Sequence, residues 1–128
     1  PLLGTARGAL ESYLAQTKAR TGRILNESIV SQVPVQVRVG AAVANLDTAE
    51  MMFAEIMRRL HELGAARTEI RGEELLRMRR LMTLGAKLCV ETADSLSGMM
   101  GITGFATDNP VQRMYRDCRT VSMHVELN

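Results

Sequence analysis

The chain has 128 residues, which fits one domain with a single hydrophobic core. Apolar residues make up 46% and charged residues 23%, as is ordinary for a soluble globular chain. A net charge of +2, with acidic residues among the basic ones, is too small to indicate nucleic-acid binding. No apolar run approaches the ~18 residues of a membrane span, and no signal-peptide pattern is present. The isolated Cys89 and Cys118 indicate neither a disulfide framework nor a zinc site, so we expect a cytoplasmic protein.

Apolar residues at helical spacing predict four helices. In chain order they cover about residues 5–21, 26 or 28 to 63, 71–99, and 110 to the end. Long helices with short connections pack as antiparallel neighbours. The predicted fold is therefore all-α, a four-helix up-and-down bundle in one domain, 1–128. Because the chain begins PLLGTARGAL without a Met, we expect it to be part of a longer polypeptide.

Two prolines mark helix starts. Pro34 lies inside the second predicted helix, so either the first turns are separate or kinked, or a new helix begins there with Ser31 as its cap. Asn109 followed by Pro110 is a stronger signal, because Asn caps helices and Pro is preferred at the first helical position. The fourth helix should therefore begin at Pro110.

The two histidines do not indicate a metal site. Di-iron bundles use Glu-x-x-His, but Arg58 precedes His61 by three residues and Val121 precedes His124 by three. No metal is expected. His124 is either a structural histidine, which spacing alone favours, or a half-buried imidazole suited to general acid or base work.

Glycines recur every third residue at Gly98, Gly101 and Gly104. They either end the third helix in left-handed conformations or form a loop whose amides hold a phosphate. Spacing alone favours the helix end. In the fourth helix Arg113 and Asp117 are four residues apart, which predicts a surface ion pair.

The segment GFATDNPVQRMYRDCRT, residues 104–120, resembles the C-terminal helical domain of the acyl-CoA dehydrogenase superfamily. The matching steps are a Gly-aromatic pair, Asn-Pro-Val-Gln-Arg and Tyr-Arg-Asp. KARTGR, residues 18–23, resembles the Arg-x-x-Gly step that closes the first helix of that domain. The resemblance covers essentially the whole chain, with its strongest motifs in the last third.

Where the sequence departs from the dehydrogenase pattern, it resembles one branch of the superfamily. Val125 stands where the dehydrogenases commonly carry a catalytic Glu, and the adjacent Glu126 would project about 100° away on a helix. His124 matches the histidine of the flavin-dependent monooxygenases, which read NPLQR…RD…H in this region. Gly98 stands where the dehydrogenases carry a Gln before their glycine loop, and Ile102 stands where they carry the second glycine of that loop. The identity of the flavin, FMN or FAD, therefore stays open.

This resemblance implies a flavin held between the subunits of a homotetramer and supplied in reduced form by a separate reductase. A flavin C4a-hydroperoxide would hydroxylate a phenolic or similar aromatic small molecule. His124 would act beside flavin and substrate as base or hydrogen-bond partner, and Arg20 would approach the cofactor phosphates. Gly98 and Gly101 would offer backbone amides to the cofactor. A structural network would hold the last helix in place, formed by Gln112, Arg113, Arg116 and Asp117.

Two alternatives stay open. The parent protein is a true acyl-CoA dehydrogenase or oxidase with its base elsewhere, or the chain is a non-catalytic helical domain for oligomerisation. In either flavoenzyme interpretation we expect the chain alone to be inactive, because the rest of the flavin site lies outside it.

Overall fold

The computed structural model describes residues 1–18, 20 and 28–124. These residues form four α-helices: α1 (Leu2–Thr17), α2 (Val33–Ala65), α3 (Gly72–Met99) and α4 (Pro110–Ser122). Short 3-10 helices at Ile29–Ser31 and Gly101–Phe105 precede α2 and α4. No strand occurs in the described ranges, so the predicted all-α class is confirmed.

The ends of α1 differ from the prediction. The helix begins at Leu2, three residues before the predicted start, because a stripe of buried side chains extends back to that residue. It ends at Thr17, whose hydroxyl donates to the Tyr13 carbonyl at 2.7 Å. The predicted end at residues 21 and 22 lies outside the described residues.

Pro34 marks a new helix start, which was one of the two alternatives. It occupies the first turn of α2, where a missing N–H costs no helical hydrogen bond. The capping position is Gln32 and not Ser31. Ser31 lies in the preceding 3-10 helix, and its hydroxyl donates to the Ser28 carbonyl at 2.7 Å.

The helices α2 and α3 run antiparallel, as side-chain pairs at both of their ends demonstrate. Near the connecting turn Arg59 Nε lies 2.7 Å from Glu74, and at the far end Arg38 Nη2 lies 3.2 Å from Ser95 Oγ. α1 packs against α4 and α3, and α3 also packs against α4. This arrangement places the start of α2, the end of α3 and the start of α4 at one end of the bundle.

The core contains many alanines, which let the helices approach closely. Its buried alanines include Ala6, Ala9, Ala42, Ala49, Ala86 and Ala93. Tyr13, Leu46 and Leu96 are the bulkiest fully buried side chains. Where α2 crosses α3, a Cβ on Gly85 would lie 2.9 Å from the Phe53 ring. No helix in the described part of the chain has an apolar stretch long enough to cross a bilayer.

Candidate functional site

A cavity of about 440 Å³ opens at that end of the bundle, between α2, the last turns of α3, the second 3-10 helix and α4. Its wall combines one cation, one carboxylate, glycine backbone and two aromatic side chains: Arg38, Asp94, Gly98, Gly101, Phe105 and Tyr115. Both glycines expected at a ligand site therefore lie on one cavity wall.

Gly101 lies just after the end of α3, as the helix-end interpretation predicts, whereas Gly98 lies inside the last turn of the helix. Gly101 has φ +63°, a left-handed conformation that side chains disfavour. A Cβ on Gly104 would lie 2.8 Å from the Ser97 carbonyl oxygen and 2.9 Å from Met100 Cβ, so the 3-10 turn requires glycine there. At Gly98 a Cβ would meet only Arg38 Nη2, at 3.9 Å.

Arg38 is a cavity residue that the sequence analysis missed. Its Nη2 donates to both the carbonyl and the hydroxyl of Ser95, each at 3.2 Å. Its guanidinium forms no ion pair with any carboxylate in the described residues. A signal was present: Arg38 is the one charged residue in the stretch VPVQVRVGAAVANL, residues 33–46.

Gln112 reaches the cavity from the first turn of α4. Its side-chain Oε1 is buried and accepts no hydrogen bond from the residues that the structure describes. A buried acceptor without a donor costs free energy, so a donor on a bound group would stabilise this site. A cationic donor and an unused acceptor, with aromatic faces beside them, fit a polar group carrying both an anion and N–H or O–H donors.

The predicted network around Gln112 is absent from the described residues. Arg113, Arg116 and Asp117 are exposed and form no ion pair there, and the expected Arg113–Asp117 pair is not made. Asn109 instead fixes the start of α4. Its Oδ1 accepts from Val111 N at 2.9 Å, which confirms the predicted cap.

Arg20 is not part of the wall of this cavity. Its carbonyl accepts from Ile29 N at 3.0 Å, which ties the end of α1 to the segment before α2. Burial raises the pKa of Tyr13, and the positive charges of Arg20 and Arg38 partly oppose that rise. Both guanidinium groups therefore lie close enough to act on the Tyr13 hydroxyl.

His124 lies at the other end of α4. That helix ends at Ser122, whereas the sequence predicts it to continue, and His124 follows as an exposed residue whose N–H donates to the Val121 carbonyl at 3.1 Å. The 1.5 Å rise per residue separates Gln112 from the helix end at Ser122, two residues before His124, by about 15 Å. The structure thus does not bring His124 together with Gly98 and Gly101. Val125 and Glu126 lie outside the described residues.

The family follows from the whole chain. The family described as acyl-CoA dehydrogenase, C-terminal domain, matches residues 1–128. The chain belongs to this family. The acyl-CoA dehydrogenase C-terminal domain is a helical bundle, in agreement with the four helices observed.

Relatives of this domain are named as hydroxylases and monooxygenases. The chain is 29% identical to the oxygenase component of the FADH2-dependent resorcinol hydroxylase of Rhizobium sp., covering 98% of this chain and 33% of that protein. It is 27% identical to the indole-3-acetate monooxygenase of Pseudomonas putida, covering 95% and 31%. The chain therefore spans about a third of the length of the curated relatives it matches.

Two solved structures share the fold over 100% of this chain and 32% of theirs. The 3-HSA hydroxylase from Rhodococcus sp. RHA1 superposes with a TM-score of 0.83 at 23% identity. The HsaA monooxygenase from M. tuberculosis superposes with a TM-score of 0.81 at 25% identity. The described part of the domain holds no group of three or more side chains that could ligate a metal ion.

Proposed function

We propose that this domain is the C-terminal part of a flavin-dependent monooxygenase that hydroxylates an aromatic small molecule. The observation that carries the proposal is the set of relatives, which are named as hydroxylases or monooxygenases and match nearly the whole chain. His124 beside Val125 agrees with this branch, since a dehydrogenase would commonly carry Glu at the latter position.

The bound flavin, FMN or FAD, would supply the activation of oxygen. This chain would supply contacts that hold the cofactor: the backbone at Gly98 and Gly101, with Arg20 near the phosphates. The fit rests on the cavity wall, where the unsatisfied Gln112 Oε1 provides an acceptor and Gly98 leaves backbone uncovered.

His124 would act on the substrate. Its imidazole would accept a proton from a phenolic hydroxyl, which makes the ring carbon of the substrate more nucleophilic. The length of about 15 Å along α4 from Gln112 to the helix end before His124 supports two separate contact regions and not one pocket. In a homotetramer these regions would contact cofactors of different subunits.

A separate reductase would deliver the reduced flavin, and the protein would act in the cytoplasm. The relative named as the oxygenase component of an FADH2-dependent hydroxylase supports a two-component system. Substrate selection would depend largely on the two thirds of the parent protein that lie outside this chain.

The test uses the full-length protein with chemically reduced flavin, oxygen and a panel of phenols. We expect hydroxylated product, lost in His124→Ala and retained in Glu126→Ala. Loss of activity in Glu126→Ala with full activity in His124→Ala would favour a dehydrogenase-type base. A full-length protein that binds no flavin would instead support the non-catalytic oligomerisation domain.

A further inference from the structure

Arg38 differs from three other arginines of the α2–α3 hairpin, which pair with carboxylates. Arg58, Arg59 and Arg77 each pair with at least one glutamate. Arg38 has no such partner within the described residues, and the Ser95 oxygens occupy only its Nη2. A guanidinium carries five N–H donors, so Arg38 is oriented by Ser95 while Nε and Nη1 stay available.

The surroundings of Arg38 leave room for an anion. Arg38 and Gly98 both line the cavity, and a Cβ on Gly98 would lie 3.9 Å from Arg38 Nη2, so glycine leaves the space beside the guanidinium unfilled. Arg20 adds a second positive charge near the same end of α1, where the Tyr13 hydroxyl lies buried. Among the described residues Asp94 is the one carboxylate on the wall, and the charges of Asp94 and Arg119 of α4 act on each other.

We propose that Arg38 binds a phosphate group of the flavin nucleotide, with Ser95 holding the guanidinium towards the cavity and Arg20 adding a second positive charge. The planar fork of arginine matches two phosphate oxygens, and such charge-assisted hydrogen bonds are about twice as strong as neutral ones. Gln112 Oε1 would accept a hydrogen bond from another part of the nucleotide. This inference rests on the proposed function and assigns part of its cofactor recognition to a residue of this chain.

The experiment measures binding of FAD, FMN and riboflavin to the full-length protein by fluorescence quenching. Riboflavin lacks phosphate and therefore reports contacts to the ring and the ribityl chain alone. The variants are Arg38→Ala and Arg38→Lys, and Arg79→Ala is the matched control because Arg79 is an exposed arginine of α3 away from this cavity. Melting temperatures of the ligand-free variants show whether losing the Ser95 contact disturbs folding.

We expect Arg38→Ala to raise the Kd of the phosphorylated flavins about tenfold, which corresponds to about 1.4 kcal/mol. The Kd of Arg38→Lys should lie between those of the wild type and Arg38→Ala, because lysine keeps the positive charge but lacks the planar guanidinium. The Kd of Arg79→Ala should match that of the wild type. The Kd of riboflavin should not change in any variant. An unchanged Kd for FAD and FMN in Arg38→Ala, or an equal loss for riboflavin, overturns the phosphate assignment.

Pyrophosphate separates this inference from the proposed function. If the wild-type protein binds none of the flavins, the proposed function fails. An increase in melting temperature with pyrophosphate that disappears in Arg38→Ala would then preserve Arg38 as an anion site. Absence of both flavin binding and this increase overturns the inference as well.

Discussion

Gln16 of α1 and Asn109 before α4 bond to each other through both side-chain amides. Asn109 Nδ2 donates to Gln16 Oε1 at 3.1 Å, and Gln16 Nε2 lies 3.4 Å from Asn109 Oδ1. Asn109 also donates to the Thr103 carbonyl at 3.2 Å while capping α4. One side chain thus joins the first helix, the 3-10 turn and the last helix.

Replacing Asn109 should therefore lower the free energy of unfolding by more than the loss of a helix cap alone would. A cap contributes about 1 kcal/mol and a neutral hydrogen bond a similar amount, so Asn109→Ala should lower the free energy of unfolding by about 2 kcal/mol. Asn109→Asp keeps the cap and loses the two hydrogen bonds donated by Nδ2. Its free energy of unfolding should therefore fall by less than that of Asn109→Ala. Urea denaturation of the three proteins measures this, and an Asn109→Ala protein as stable as the wild type would contradict the assignment.

Gly85 should not tolerate alanine, although alanine is a better helix former. The added Cβ would lie 2.9 Å from two atoms of the Phe53 ring, which must then move. We expect Gly85→Ala to lower the free energy of unfolding by about 1–2 kcal/mol, because overpacking outweighs the gain in helix propensity. Thermal and urea denaturation would measure the change.

Gly40→Ala is the matched control, since a Cβ on Gly40 of α2 would meet no atom within 4 Å. It should stabilise the chain by about 0.5–1 kcal/mol. Adding Phe53→Leu to Gly85→Ala should recover part of the loss. If Gly85→Ala stabilised the protein as Gly40→Ala does, the close contact would be wrong.

Where a chemical signal marks a helix end, the sequence predicts the boundary well. Asn109 and Pro110 place the start of α4 correctly, and the predicted 71–99 helix differs from α3 by one residue at its start. At the start of α1, Pro1 caps the helix without a side-chain hydrogen bond, so no local signal distinguishes Leu2 from Thr5. Apolar spacing continues past Ser122, and periodicity alone therefore overestimates the length of α4.

Acid should weaken the connection between α2 and α3 through Glu55. Hydrogen bonds from Arg58 and Arg77 lower the pKa of Glu55 to about 2, from an ordinary value of 4.5. Since the folded-state pKa is the lower one, the stabilisation is complete above about pH 4.5 and is lost as the pH falls towards 2. Glu55→Gln should therefore reduce the loss of stability across this window, measured by urea denaturation at several pH values.

The control for Glu55 is Glu11→Gln, because Glu11 forms no ion pair with the described residues. It should leave the pH dependence unchanged. High salt should also reduce the contribution of Glu55, since partly exposed ion pairs are screened. If the stability of Glu55→Gln depended on pH as that of the wild type does, Glu55 would not be the cause of the loss of stability in acid.

The two cysteine thiols should resist modification in the folded chain. Burial raises the pKa of Cys89 to about 11 and that of Cys118 to about 12, so almost no thiolate forms at pH 8. A colorimetric disulfide reagent should label neither thiol before unfolding and both in urea. Rapid labelling of one thiol in the folded protein would show that it is reactive and accessible.

The candidate site was only partly predictable, because it depends on how α2 and α3 align. Gly98 and Gly101 are close in sequence, and the recurrence of glycine at every third residue marks them. Arg38 and Ser95 are 57 residues apart, and only the antiparallel register brings them together. Gln112 belongs to a recognisable motif, but its unsatisfied oxygen depends on which side of α4 faces the cavity.

The α2–α3 hairpin is held differently at its two ends. Ion pairs of Arg59 with Glu74 and of Arg77 with Glu55 cross it near the turn, whereas at the cavity end Arg38 contacts Ser95 and Val37 is 65% exposed. The free energy of local opening should therefore fall from the turn towards the cavity, and backbone amides at the start of α2 should exchange with solvent before those near the turn. A nucleotide bound at Arg38 would slow exchange mainly at the less stable end.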